Sequence, residues 1–465
     1  MGWTRNRAPD GPQTAVVPEA REPAGDEPPL LPEFDPAVDR FLALKRKLHY
    51  DVIGSIDLAS MGSLTEHELR VQVRRKAEVI CRQDPALLSH SDREKLVEEI
   101  LDEAFGYGPI ESLMHDPDVC DILINGPKQT YIERRGRLER CPVAFLNDQH
   151  LLHIIQRMAA NVGRRIDENS PMVDARLPDG SRLNAIIHPV ALNGPLVSIR
   201  RFGARPLTID DLLTYQAITP EMLRFLRACV ISRVNVVISG GTGSGKTTLL
   251  NALSVYIPPD ERLATIEDAA ELQLQQTHVA RMETRPPNLE GRGQVTTRDL
   301  VRNALRMRPD RIIVGECRGD EALDMLQAMN TGHEGSLTTI HANSPRDAIS
   351  RLEMMIGMAG FDIPIWVVRR QIASSINIIV QVQRMMGGPR KIVRISEVTG
   401  MEQDIVSMHD VFEFVQTGVD ERRVAQGFFR STGIRPNCIA KLKASGEDLP
   451  IELFERKVLS AVGES

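Results

Sequence analysis

The chain has 465 residues, 42% of them hydrophobic, which predicts two or three domains with aliphatic cores. Its net charge of −6 argues against a nucleic-acid-binding protein, and its six scattered cysteines, without a C-x-x-C pair, are typical of reduced thiols. Because no apolar run approaches the ~20 residues that span a bilayer, and the proline-rich N-terminal stretch lacks the apolar core of a signal peptide, we expect a soluble protein whose membrane role is peripheral.

The N-terminal stretch is dominated by proline. Residues 1–36 contain eight prolines among Gly, Glu, Asp and Ala, and such a segment cannot bury enough surface to offset its ordering entropy. We therefore predict a disordered tail over residues 1–40 and a helical region over residues 41–112. The helices start near Leu64 and are stopped by the Gly-Tyr-Gly-Pro run at 106–109.

A strand-rich α+β domain is predicted for residues 113–203. Residues 119–126 read as a strand and turn, and residues 130–138 read as a hairpin that turns at Arg135 and Gly136. A helix is expected around residues 151–158, where the apolar side chains follow helical spacing.

A second α/β domain is predicted for residues 220–445, after a linker with a short helix at 204–219 and before a tail at 446–465. Thr219 followed by Pro220 is typical of a helix start. From Asn235 onward apolar strands alternate with amphipathic helices, which predicts a parallel sheet covered on both faces. Beyond Ile376 the pattern becomes strand-rich.

A phosphate-binding loop is predicted where a buried-type strand at 235–239 runs into a helix. The connecting sequence matches G-x-x-x-x-G-K-T, and its glycines let backbone N–H groups surround phosphate oxygens. Lys246 is expected to contact the β- and γ-phosphates of ATP, and the Thr247 hydroxyl to contact Mg²⁺. The predicted cradle comprises Gly240, Gly241, Thr242, Gly243, Ser244, Gly245, Lys246, Thr247 and Thr248.

Two groups of carboxylates follow strands downstream of this loop. Glu316 ends the apolar strand 311–316, at the Walker B position where most P-loop enzymes place Asp. Glutamate reaches further, so Glu316 could polarise the attacking water or hold Mg²⁺ through a water. Glu267, Asp268 and Glu271 cluster after another strand and would repel one another unless a cation such as Mg²⁺ lies near; a solvated acidic turn is the alternative.

A run from Thr331 to Pro345 contains His333 and His341, eight positions apart. A zinc helix of the H-E-x-x-H type would place its histidines four apart on one face. Here Gly335 and the β-favouring run 337–340 separate them, so we expect the two histidines to flank a short strand.

Four motifs follow one another along the chain: the glycine-rich loop at 240–247, the acidic group at 265–272, the strand ending in Glu316, and the histidine run at 331–345. In this chain order they resemble those of the secretion and pilus ATPase superfamily, which includes type II secretion, type IV pilus and VirB-type conjugation ATPases. Residues 163–186 and 431–437 are similar to CpaF-type ATPases of Tad/Flp pilus systems. The resemblance covers about residues 60–445. It implies an α/β fold with a RecA-like P-loop C-terminal domain and a PAS-like, strand-rich α+β N-terminal domain.

The same resemblance implies a homohexameric motor that uses ATP and Mg²⁺. Its partners would be inner-membrane platform proteins and, indirectly, pilin, at the cytoplasmic face of the inner membrane, with no nucleic acid. Glu316 or Glu267 would activate water, with Thr247, Asp268 and Glu316 around the metal. His341 would contact a phosphate or the Walker B carboxylate, while His333 would orient a loop at the subunit interface. Arginines from the N-terminal domain of the same or a neighbouring subunit would reach the phosphates, with Arg176, Arg182, Arg200 and Arg201 as candidates.

Other functions remain open at this stage. A VirB-type conjugation or type II secretion ATPase is the nearest alternative, although the tetracysteine zinc motif common in type II secretion relatives is absent from the sequence. A nucleic-acid translocase is disfavoured by the acidic balance, and a non-hydrolysing scaffold is disfavoured by the intact P-loop and Glu316.

Overall fold

The computed structural model describes residues 66–83, 90–134, 137–201, 207–287, 292–360 and 362–460. The predicted disordered tail, the hairpin turn at Arg135 and Gly136 and the first residues of the predicted linker lie outside these ranges. Within them, no helix is both long and apolar enough to cross a membrane. The chain divides into two compact units, Met1–Gly108 and Pro109–Ser465.

The described part of the first unit consists of helices α1 (Glu66–Gln83) and α2 (His90–Phe105). Leu96, Val97, Ile100 and Leu101 of α2 are buried, and so are Val73 and Ala77 of α1. The second helix ends at Phe105, immediately before the glycine that was expected to stop it. The described residues of the predicted helical region 41–112 thus form helices at Glu66–Gln83 and His90–Phe105, while residues 41–65 and 84–89 lie outside the described ranges.

The second unit begins with a 3-10 turn (Gly108–Ile110) and α3 (Glu111–His115), followed by a six-stranded antiparallel sheet. The sheet has the order β3-β2-β1-β6-β5-β4, and inward and outward side chains alternate along its strands, as on β5 where Leu183 and Ala185 are buried. The elements are β1 (Val119–Asn125), β2 (Thr130–Arg134), β3 (Arg137–Cys141), α4 (Asp148–Asn161), β4 (Met172–Arg176), β5 (Arg182–Ile186) and β6 (Leu196–Arg200).

Two capped helices lead from this sheet to the next. Helix α5 (Ile209–Thr214) starts with a capping box, and α6 (Pro220–Ile231) starts with the predicted Thr219 cap. The Thr219 hydroxyl accepts a hydrogen bond from the Met222 amide at 3.3 Å, with proline in the first turn. Both the short helix before residue 219 and the Thr-Pro helix start are confirmed.

The remainder of the chain forms a ten-stranded sheet with the order β16-β15-β14-β13-β12-β7-β11-β10-β8-β9. Its strands are β7 (Val236–Gly240), β8 (Leu263–Glu267), β9 (Val279–Glu283), β10 (Arg311–Cys317), β11 (Leu337–Ile340), β12 (Ile378–Arg384), β13 (Arg390–Glu402), β14 (Ile405–Val419), β15 (Ala425–Ser431) and β16 (Lys457–Leu459). Its helices are α7 (Lys246–Ser254), α8 (Thr297–Ala304), α9 (Glu321–Asn330), α10 (Pro345–Met358), α11 (Ile365–Ser375) and α12 (Ile439–Ala444), with a 3-10 turn at Ile451–Leu453.

This sheet combines a parallel half with an antiparallel extension. The six strands from β12 to β9 are parallel, whereas β13 to β16 continue by antiparallel pairing. Val237 of β7 belongs to one hydrophobic core and Val236 and Ile238 to another, so apolar layers cover both faces. The predicted α/β class, the parallel sheet and the strand-rich region after Ile376 are confirmed. The parallel pairing also brings the carboxyl ends of β7, β11, β10 and β8 to one edge.

Candidate nucleotide-binding site

The loop after β7 has the strand–loop–helix context that the motif predicted. Gly240 leaves no room for a side chain, because an added Cβ would lie 2.4 Å from the Val382 carbonyl oxygen and 2.5 Å from Ser244 Oγ. Gly243 and Gly245 have φ values of +65° and +97°, which are left-handed conformations that glycine adopts without strain. The loop therefore curls tightly before α7 begins.

Lys246 opens α7 and folds back over the loop. Its Nζ donates hydrogen bonds to the carbonyl oxygens of Gly240 and Gly241, both at 3.0 Å. Burial lowers the pKa of Lys246, while the nearby Glu316 carboxylate opposes this effect. Thr247 and Thr248 follow in the first helical turn, where backbone N–H groups have no acceptor within the helix. These donors and the ammonium form a cationic cradle suited to an anion.

Glu316 lies on β10, two strands from the loop strand. A register shift between Val314 and Cys317 bends the end of β10. Arg318 Nη2 donates to Glu316 Oε2 at 2.7 Å. Burial alone would raise the pKa of Glu316, but the hydrogen bond and charge of Arg318, together with the charges of Lys246 and His341, outweigh burial and lower that pKa. Glu316 is thus ionised at neutral pH.

The bend that carries Glu316 is held from two sides. The Thr339 hydroxyl, on β11, donates to the Gly315 carbonyl oxygen at 2.7 Å. Glu321 Oε1 accepts from the backbone amides of Arg318 at 2.6 Å and Gly319 at 3.0 Å. These contacts orient the Walker B segment from the neighbouring strand and from the helix that follows.

Glu267 lies at the end of β8 and binds the backbone of residues 265–272, which we call the acidic segment. It is 3% exposed, and its Oε1 accepts from the amides of Glu271 at 2.8 Å and Leu272 at 2.7 Å. Its Oε2 is buried without a hydrogen-bond partner. Burial raises the pKa of Glu267 despite these two amides. Oε1 of Glu267 therefore fixes the backbone at residues 271–272, whereas its Oε2 makes no hydrogen bond.

The rest of the acidic segment lies between α7 and the Walker B segment. Asp268 accepts from Arg318 Nη1 and from the Thr297 hydroxyl, both at 3.2 Å. The Gln273 amide donates to Asn251 Oδ1 of α7 at 3.0 Å. Arg318 consequently bridges Asp268 and Glu316, two of the acids predicted to lie near Mg²⁺.

The two histidines flank β11, as predicted. His341 follows the strand on the side of Glu316; burial and the charge of Lys246 lower the pKa of His341, which is therefore neutral at pH 7. His333 precedes the strand, and its Nδ1 is buried without a partner. Next to it, Glu334 pairs with Lys441 at 2.6 Å. Only His341 interacts with the groups of the cradle.

Two of the four candidate arginines face the acidic segment. Arg176 donates to Glu283 at 3.3 Å and to the Ala270 carbonyl oxygen at 3.2 Å. Arg200 lies 4.0 Å from Glu271, and its charge acts on the pKa of the P-loop lysine. Both arginines belong to the six-stranded sheet, so that sheet lies next to the cradle.

The other two candidate arginines have their hydrogen bonds within their own sheet region, although the charge of Glu271 also acts on the pKa of Arg182. Arg200 is likewise shared, since it lies 3.5 Å from Asp121 of its own sheet. Arg182 forms a two-point contact with Asp174, at 3.0 Å and 2.5 Å. Arg201 donates to the carbonyl oxygens of Leu113, at 3.3 Å, and Asp116. Of the four, Arg201 is the one held by backbone acceptors away from the acidic segment.

Sequence reasoning missed several contributors to the site. It assigned no role to Arg318, although an arginine two positions after the Walker B acid is a visible signal. It also overlooked Arg390, whose Nε donates to the Gly243 carbonyl oxygen at 3.2 Å. No local pattern pointed to Arg390, because 147 positions separate it from the loop.

The oxygen donors at the site fit Mg²⁺. The hydroxyl of Thr247 and the carboxylates of Asp268 and Glu316 are the hard ligands that this ion prefers, and it commonly keeps phosphate and water ligands as well. Across the described residues, no group of three or more His, Cys, Asp or Glu is arranged to hold a metal by protein ligands alone. The donor set therefore suits a cation that arrives with phosphates.

Comparison with known proteins gives a family for the chain. A putative conjugal transfer protein of Mycobacterium tuberculosis is 36% identical over 333 residues, which cover 66% of this chain and 94% of that protein. The conjugal transfer protein TrbB of Rhizobium radiobacter is 34% identical over 281 residues, covering 60% and 83%. The VirB11 ATPase of the Brucella suis type IV secretion system, solved with sulphate, is 29% identical over 63% of this chain and 97% of its own, with a TM-score of 0.34. The model of the type II/IV secretion system protein family matches residues 103–421, and the chain belongs to that family.

Proposed function

We propose that this chain is an ATPase subunit that hydrolyses ATP to ADP and phosphate. The observation that carries the proposal is that Lys246, Glu316 and His341 lie at the carboxyl ends of β7, β10 and β11, which are parallel neighbours in the sheet and therefore end at one edge. A cationic loop beside an ionised carboxylate is the arrangement that phosphoryl transfer to water needs.

The chemistry follows from the positions of the side chains. The loop amides and Lys246 hold the phosphates, and Mg²⁺, when bound by Thr247 and the neighbouring acids, neutralises charge on the phosphate oxygens. Neutral His341 supplies a hydrogen bond without adding charge. Glu316 orients the attacking water and accepts its proton.

Geometry favours Glu316 over Glu267 as the group that handles water. Glu316 acts electrostatically on Lys246, and its carboxylate is ionised. Glu267 is almost fully buried, and one of its oxygens accepts hydrogen bonds from two backbone amides. We assign Glu267 to the shape of the acidic segment, which in turn presents Asp268 to the site.

The finer function is a motor for a secretion or pilus system. We propose a homohexamer at the cytoplasmic face of the inner membrane that works with platform proteins to assemble a Tad/Flp-type pilus. The PAS-like and RecA-like domain types are part of this proposal. Arg176 and Arg200 support it, since arginines of the six-stranded sheet lie beside the acidic segment and a guanidinium pairs well with phosphate.

The test is the rate of ATP hydrolysis as a function of protein concentration. We expect specific activity to rise as subunits assemble, and we expect Lys246→Ala and Glu316→Gln to lose at least about 100-fold in kcat. Glu316→Gln should still bind ATP, since the amide keeps the shape of the carboxylate. A wild-type chain without ATPase activity at any concentration would refute the proposal, and a flat profile would refute a site shared between subunits.

Conjugation is a second candidate. Two of the relatives above are named as conjugal transfer proteins, and that naming supports conjugation as the alternative to a pilus. Deletion of the gene separates the candidates, because loss of surface pili with normal plasmid transfer supports the pilus motor, whereas the reverse supports conjugation.

A further inference from the structure

An ionic bridge joins the six-stranded sheet to the ten-stranded one. Glu133, on β2, is 16% exposed at its side chain. Its carboxylate lies 3.0 Å from Arg390 Nη2 and 3.9 Å from Arg384 Nη1. The two arginines flank the turn between β12 and β13, so one partly buried acid faces two cations across the two sheets.

Arg390 uses a different nitrogen for each of its partners. Nη2 pairs with Glu133, while Nε donates to the carbonyl oxygen of Gly243 at 3.2 Å. Gly243 is one of the two left-handed glycines that give the P-loop its curl. A single rigid guanidinium therefore connects the backbone of the P-loop to the six-stranded sheet.

This bridge differs from the other contacts between the two sheets. Arg176 and Arg200 reach the acidic segment, at Ala270, Glu283 and Glu271. The Glu133–Arg390 bridge reaches the loop that would carry the phosphates. The charges are also reversed: the six-stranded sheet supplies the acid of this bridge, whereas it supplies the arginine in the contacts of Arg176 and Arg200.

We propose that Arg390 is a positioning residue of the P-loop and that Glu133 sets how firmly Arg390 holds Gly243. The inference rests on the nucleotide binding proposed above. With Glu133 in place, the planar fork of Arg390 is oriented to keep its Nε on the Gly243 carbonyl. A displacement of the six-stranded sheet would draw Arg390 with it, so sheet position and nucleotide affinity are coupled.

A double-mutant cycle tests the coupling, with the Kd for a fluorescent ADP analogue and Mg²⁺ as the readout. Arg390→Gln should weaken binding by about threefold to tenfold, since it removes a charged hydrogen bond to the loop. Glu133→Gln should change the Kd by about threefold or more when Arg390 is present and by less than about 1.5-fold in the Arg390→Gln background. Hydrogen exchange of the P-loop amides should rise in the same variants that lose affinity.

Two variants serve as matched controls. Arg384→Gln removes an equal charge beside the same acid and near Gly243, since Arg384 Nη1 would lie 3.9 Å from a Cβ at that glycine, but it leaves the Arg390–Gly243 hydrogen bond in place. Its effect on Kd measures the loss of a nearby cation alone and should be smaller than that of Arg390→Gln. Arg390→Lys keeps the charge but replaces the fork with a single ammonium, which cannot reproduce both bonds. We expect Arg390→Lys to weaken binding as much as Arg390→Gln does. If Arg390→Lys bound the analogue with wild-type affinity, only the charge of Arg390 would matter and the inference would be overturned.

The outcomes separate this inference from the proposed function. If the wild-type chain does not bind the analogue, the proposed function itself fails. If the wild-type chain binds but the effects of the Glu133 and Arg390 substitutions are independent, only the bridge fails. A melting temperature within about 2 °C of wild type for each variant shows that the chain is folded during the measurement.

Discussion

Replacement of Gly240 by alanine tests the geometry of the P-loop directly. The new Cβ would lie 2.4 Å from the Val382 carbonyl oxygen and 2.5 Å from Ser244 Oγ, closer than the 3.0 Å limit of real Cβ contacts. Ser244 can change rotamer, but the carbonyl of Val382 belongs to the β7–β12 pairing. Backbone must therefore move by about 0.6 Å, and such overpacking costs about 1–3 kcal/mol.

Gly241 provides the matched control. An alanine Cβ at that position would have no atom within 4 Å, and its backbone is outside the left-handed region. Gly241→Ala should leave the free energy of unfolding unchanged or raise it by about 0.4–1 kcal/mol, because it restricts the unfolded chain. The two substitutions add the same methyl group one residue apart, so a difference between them comes from the local space.

Thermal unfolding without nucleotide is the assay. Gly240→Ala should lower the apparent Tm by roughly 1–4 °C, the shift that about 1–3 kcal/mol produces in a unit of this size. Because the displaced loop carries the amides that we propose bind phosphate, kcat/KM for ATP should also fall by about tenfold or more in this variant. Equal melting temperatures for Gly240→Ala and Gly241→Ala would refute the argument that Gly240 is required for steric reasons.

Three further predictions concern charge. Arg318→Gln removes the hydrogen bond and the charge that lower the pKa of Glu316. This pKa should therefore rise and shift the acid limb of the kcat–pH profile to higher pH, and an unchanged limb would contradict the reasoning. His341→Gln should keep about a third or more of the wild-type rate at pH 7, since the histidine is already neutral there, whereas His341→Lys should be far slower. Glu261→Gln leaves the fully buried Arg311 without its counter-charge and should cost about 3–5 kcal/mol in urea unfolding, while replacing both residues with methionine should recover most of this loss.

Local signals were sufficient for the elements that frame the site. The strand, glycine-rich turn and helix around residues 236–254 could be predicted because the residues that define them are contiguous, and the Thr219–Pro220 helix start could be predicted for the same reason. The strand between the two histidines followed from four β-favouring residues behind a glycine. In each case the local structure is determined by a few neighbouring residues, so it can be predicted from the sequence pattern.

Contacts between segments that are distant in the chain could not be predicted from the sequence. Arg318 reaches Glu316 and Asp268 only because β10 bends at the register shift and β8 lies beside it. The partner of Arg390 on β2 is 257 positions away. A single sequence gives the charges of such residues but not their distances, and the roles of the four candidate arginines therefore stay predictions.

The ion pairs of Arg318 bear on the order in which Mg²⁺ and ATP arrive. The guanidinium already neutralises one of the two negative charges of Glu316 and Asp268 and occupies an oxygen of each carboxylate. A free divalent cation would have to displace it and would gain little, whereas a cation already attached to a triphosphate brings its own anionic ligands. The subunit should consequently respond to the concentration of the Mg²⁺–ATP complex and be nearly insensitive to free Mg²⁺. Calorimetric titration with MgCl₂ alone should give no measurable heat of binding at the site.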